Sequence, residues 1–91
     1  MKYRFGATQR FWEKLKTLPA GQRESVHRAW KIFKENPFDP RLRPHKIHKL
    51  SSQYGRTIYA AVIEGDLRVL FCVEGDRVVT LQVGTHDVYR G

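Results

Sequence analysis

Residues 84–91, Gly84-Thr85-His86-Asp87-Val88-Tyr89-Arg90-Gly91, bring an imidazole, a carboxylate, a phenol and a guanidinium into one short segment. They follow a β-branched run, Val78-Val79-Thr80-Leu81-Gln82-Val83, which reads as a strand. A strand delivers the side chains beyond its end to a fixed place, so the cluster is expected to be held in register with the rest of the fold. It is the first candidate for a working site.

Other groups suit the same chemistry. Cleaving an RNA phosphodiester without a metal needs one group to take the 2′-hydroxyl proton and another to protonate the leaving 5′-oxygen. It also needs cations for the charge that builds on phosphate. Histidine titrates near neutrality and serves either proton transfer. Arginine grips phosphate oxygens with a planar fork, and tyrosine stacks on a base or donates a hydrogen bond. His86, Asp66, His45, Arg68 and Tyr89 offer these roles. Each also has a plainer reading: His86 as a strand cap, Asp66 as a turn former, Arg68 as a solvated charge, Tyr89 as a packing anchor and His45 as a surface residue.

Other chemistries lack their signatures. The chain has no phosphate-cradling glycine loop and no nucleophile elbow. His45 and His48 are three apart but have no second ligand pair, so neither a metal nor a cofactor is expected. The single cysteine, Cys72, lies in an apolar run, which excludes an internal disulfide and reads as a small buried hydrophobe.

Charge points to a polyanionic partner. The 91 residues carry 17 Lys and Arg against 9 Asp and Glu, a net +8. From Pro40 through Ile63 there is no acidic residue, whereas Arg41, Arg43, Lys46, Lys49 and Arg56 fall there. With Arg90 they form the candidate RNA-binding set. Such a field draws nucleic acid or acidic protein by releasing counterions. No run approaches the roughly 18 apolar residues of a membrane span, and the segment after Met1 lacks a signal peptide's hydrophobic region. No membrane contact and a cytoplasmic location are the expectation.

The elements that must position these groups fit one domain over residues 1–91. Lys2-Tyr3-Arg4-Phe5 alternates as a short edge strand. Thr8 suits an N-cap for a helix through about Leu18, with Phe11, Leu15 and Leu18 on one stripe. After Pro19-Ala20-Gly21, a second helix is predicted from about Gln22 to Glu35, with Val26, Ala29, Trp30 and Phe33 on its apolar face. Asn36-Pro37-Phe38-Asp39-Pro40 stops it. Residues 41–54 read as an ordered basic connection anchored by Leu42, Ile47 and Leu50. Three strands follow, Arg56 to Glu64, Leu67 to Glu74 and Arg77 to Val83, joined by two Glu-Gly-Asp turns in which glycine supplies a positive φ. In the middle strand Leu67, Val69, Phe71 and Val73 share the face beneath the helices. Arg68, Leu70 and Cys72 point the other way. The predicted class is α+β, a helical hairpin on a three- to four-stranded antiparallel sheet.

This order resembles the RelE/ParE superfamily of toxins from bacterial type II toxin–antitoxin modules, over nearly the whole chain. The most specific segments are Leu42-Arg43-Pro44-His45-Lys46-Ile47, Gly65-Asp66-Leu67-Arg68-Val69-Leu70-Phe71 and Val83-Gly84-Thr85-His86-Asp87-Val88-Tyr89. The Gly-x-His ending is most similar to the YafQ-like, histidine-dependent messenger RNA interferases. In that comparison His45, Asp66 and His86 fall on catalytic positions and Tyr89 near a terminal aromatic, while Arg68 is similar in place to the phosphate-binding arginine of the RelE branch. Val62 stands where the YafQ-like group has a further histidine, and the paired strand lysines of RelE are missing, with Tyr59 and Ala61 in their approximate places.

The resemblance implies a ribosome-dependent endoribonuclease acting on messenger RNA in the A site and neutralised by a cognate acidic antitoxin. Operator DNA would be contacted only through the antitoxin complex. The alternatives are a ParE-like inhibitor of DNA gyrase and an inactive toxin-fold co-repressor.

Overall fold

The computed structural model describes residues 2–85 and Val88. Strand β1 (Arg4–Ala7) leads into helices α1 (Gln9–Thr17) and α2 (Ala20–Phe33). A 3-10 turn (Pro40–Leu42), the two-residue strand β2 (His45–Lys46) and helix α3 (His48–Tyr54) follow. The chain then runs through β3 (Ile58–Glu64), β4 (Leu67–Glu74) and β5 (Arg77–Gly84).

The fold is α+β, as expected, but the sheet differs. It has five strands in the order β1-β5-β4-β3-β2 and is mixed, because β1 pairs with β5 in parallel. The helical hairpin is the crossover that makes this parallel neighbour possible, a long-range pairing that four residues of alternation cannot announce. The basic connection also holds more structure than expected, since β2 and α3 lie within it. Helix α2 begins at Ala20 instead of Gln22, because Pro19 offers its carbonyl to the amides of Gln22 and Arg23.

Thr8 caps α1, its Oγ1 accepting from the Phe11 amide at 3.1 Å. The two hairpin turns place Gly65 at φ +47° and Gly75 at φ +62°, the conformation their first central positions require. Phe71 is the centre of the helix-side core. It meets Phe33 edge-on at 5.0 Å and stacks on Tyr59 at 5.5 Å. Leu67, Val69 and Val83 continue that core beneath Phe11 and Val26.

The opposite face is partly closed. Leu50 of α3 and Val88, both fully buried, pack there with Ile58, Ala60, Leu70 and Cys72. Ser51 fixes α3 in place: its Oγ donates to the Ile47 carbonyl at 2.8 Å and accepts from the Ile58 amide at 2.8 Å. Helix α3 therefore lies over the Ile58 end of the sheet.

Candidate active site

Strand register places Arg68 and His45 on this same face. Arg68 pairs with Val62 on one side and Gly84 on the other. One step up the same face, His45, Ala60, Leu70 and Gln82 form a continuous rung across four strands. Paired residues on antiparallel strands project to the same face, so His45 and Gln82 stand at the two ends of a rung whose centre, Ala60 and Leu70, is buried with Leu50 and Val88. Two strand spacings and one two-residue step put His45 and Arg68 about 12 Å apart at Cα.

Arg68 is half-buried. Its Nη1 donates to the backbone carbonyls of Gly65 and Leu67, the latter at 3.3 Å, which folds the guanidinium back onto its own hairpin. Its Nε is buried and has no hydrogen-bond partner among the described residues. No carboxylate pairs with Arg68 among them either. A buried donor on a cation without a counter-ion carries a desolvation cost that an anion relieves.

His45 is exposed on β2, with Nδ1 3.1 Å from the Arg43 carbonyl. A carbonyl only accepts, so Nδ1 carries the hydrogen and the neutral ring keeps its lone pair on Nε2. The contact depends on Arg43, whose left-handed backbone (φ +44°) turns the chain from the 3-10 turn into β2. No sequence pattern announced that turn, because glycine or asparagine usually occupies such a conformation. Asp66 is exposed in the β3–β4 turn, beside the carbonyl that holds Arg68. His86, Tyr89 and Arg90 lie outside the described residues.

The basic set does not gather at this site. Arg41 is held by Asp39 through two hydrogen bonds of 3.1 and 3.0 Å. That pairing lowers the Asp39 carboxyl below its ordinary range, chiefly through the side-chain hydrogen bond, and raises Arg41. Arg56 pairs with Glu74 at 3.0 Å, at the end of β4 about 20 Å from Arg68. Lys46 shares a rung with Tyr59 and so projects to the helix side of the sheet. Arg43 and Lys49 are exposed on the segment that runs along the β3 edge and into α3.

Val62 is buried on the rung of Arg68. Tyr59 and Ala61 belong to the helix-side core and face away from the site. An apolar cavity of about 470 Å³ lined by Phe11, Trp12 and Trp30 also lies on the helix side, remote from Arg68. No described helix is long and apolar enough to cross a membrane.

No family model and no curated protein matches the chain. Solved structures do. The E. coli DinJ–YafQ toxin–antitoxin complex is similar over 100% of this chain and 100% of that one, with a TM-score of 0.73 at 14% identity. YafQ from E. coli strain BL21(DE3) gives a TM-score of 0.72 at 17% identity, over 99% and 100% of the two chains. The archaeal RelE–RelB complex from Pyrococcus horikoshii OT3 gives 0.71 at 18% identity, over 93% and 96%. The chain therefore has the RelE/YafQ-like toxin fold. At these identities the likeness is one of fold.

Proposed function

We propose that the chain is the toxin of a type II toxin–antitoxin pair and cleaves messenger RNA on the ribosome by metal-independent acid–base chemistry. The observation that carries this reading is Arg68: a half-buried guanidinium whose Nε has no hydrogen-bond partner and whose fork has no carboxylate among the described residues, on the sheet face where Val88 is anchored. His86 lies two positions before Val88 in the chain and two after Gly84, the partner of Arg68. The fold shared with RelE and YafQ and the net charge of +8 support the same reading.

In this mechanism a base takes the proton of the 2′-hydroxyl, and the 2′-oxygen attacks the adjacent phosphorus. The bond to the 5′-oxygen breaks, and that oxygen leaves with a proton from the acid. His86 is one proton-transfer group. His45 is suited to the other through its Nε2 lone pair, and Asp66 orients or shares the transfer. Arg68 stabilises the phosphate charge, and Tyr89 positions a base. Arg43, Lys49 and Arg90 supply the cationic approach. The partner is an acidic antitoxin that folds onto the basic surface.

Inducible expression followed by primer extension on a reporter message tests the proposal. Codon-register cuts are expected with the natural chain and none with His86→Ala. Uncut message accompanied by a DNA-damage response would assign the chain to gyrase inhibition instead. Unaffected growth without an antitoxin would assign it to co-repression.

A further inference from the structure

Strict alternation along β5 puts Gln82 on the wrong face. Val78 packs under the helices and Val79 packs with the α3-side cluster, so a regular strand would turn Thr80 and Gln82 inward and Leu81 outward. The observed register is different: Leu70 pairs with Gln82 and Phe71 with Thr80, which leaves Leu81 as an extra residue in a β-bulge. The bulge reverses the phase. Leu81 packs with the α3-side cluster, Gln82 joins the rung of Ala60 and Leu70, and Val83 returns to the helix-side core. Bulges recur beside active sites because they re-aim a side chain in this way.

The bulge is held from outside the sheet. Thr8 Oγ1 donates to the Leu81 carbonyl at 2.7 Å, and the Thr8 amide donates to the Thr80 carbonyl at 3.0 Å. The residue that caps α1 therefore also fixes where Gln82 points. Gln82 is only 3% exposed, and its amide, unlike the Arg68 Nε, is not fully sealed from solvent; no hydrogen bond joins it to a described residue. Its diagonal neighbour on β4 is Arg68, about 8 Å away at Cα and within reach of two long side chains. The Gln82 amide and the buried Arg68 Nε, neither with a hydrogen-bond partner among the described residues, thus share one corner of the site.

We infer that Gln82 and Arg68 together form the seat for the scissile phosphate, with the Gln82 amide donating to a non-bridging oxygen and the Thr8-pinned bulge positioning it. Gln82 is a substrate contact and Thr8 a positioning residue. A neutral donor fits this place: it grips an anion without adding charge that would compete with Arg68, and it does not titrate where the neighbouring groups exchange protons. The inference rests on the ribonuclease reading for the identity of the phosphate, though not for the existence of the seat.

The test uses inorganic phosphate as probe and the arginine Nε–H resonance of Arg68 as readout. The purified chain is titrated beside Gln82→Leu and Gln82→Met, and melting is recorded for all three. Two apolar replacements are used so that one still decides if the other does not fold. A hydrogen bond to a charged group predicts about a ten- to hundredfold weaker phosphate affinity in a folded variant. Cleavage on translating ribosomes should fall by a similar factor, while the melting temperature changes little. A folded variant with wild-type phosphate affinity would overturn the seat. If the natural chain cuts no message yet its phosphate shift depends on Gln82, the ribonuclease reading fails and the seat stands.

Discussion

Val88→Ala is the most direct test of how the site is held together. Val88 is fully buried among Leu50, Ile58, Ala60, Leu70 and Cys72, on the face that carries Arg68. Truncation removes two methyl groups, about 1.6 kcal/mol of transfer free energy at about 0.8 kcal/mol each. A residual void of about 50 Å³ would add about 1 kcal/mol if nothing moved, and partial collapse reduces that. A loss of about 2 kcal/mol is expected, which in a domain of this size lowers Tm by about 8–16 °C. Thermal unfolding by circular dichroism measures it, with hydrogen exchange at the Gly84 and Thr85 amides as a local readout. Exchange there should accelerate more than at Phe71, which lies in the helix-side core. A Tm within about 2 °C of wild type, with unchanged exchange at Gly84, would refute the anchoring and with it the main support for the site.

Three further outcomes follow from the same geometry. Arg68→Lys keeps the charge but loses the fork and its Nε donor, so message cleavage should fall at least tenfold (roughly the worth of one charge-assisted hydrogen bond) with Tm little changed; primer extension and a melt decide it. Thr8→Val removes both the cap on Phe11 and the bond to Leu81, costing about 1–2 kcal/mol by melting, and Thr8→Ser should restore most of it. Asp39→Asn probes the pair with Arg41. The depressed Asp39 carboxyl contributes stability above the unfolded-state value near about 3.9, and that contribution is lost as pH falls through the folded-state value below it. The Tm difference between wild type and variant should be present at neutral pH and vanish in strong acid; a difference that persists below about pH 2 would count against the pairing.

Much of this chain is legible in its residues because the signals are local. The Thr8 cap, the helical stripes, the two Glu-Gly-Asp turns and the alternation of β4 are each decided within a few positions, and the structure has all of them. Tertiary pairing decided the rest. The edge strand expected at residues 2–5 lies at Arg4–Ala7, but its parallel partner comes only from far along the chain, and the two residues of β2 are too few to show a period. The charge count could not reveal that Arg41 and Arg56 are bound to carboxylates, because each ion pair depends on where two exposed side chains meet. Gln82 was the hardest to read. Its face depends on one extra residue at Leu81, and one residue is enough to turn a strand's side chains over. Composition and spacing determined which chemical groups this protein owns; the bulge, its hydrogen bond to Thr8 and the packing of Val88 determined which of them share a face.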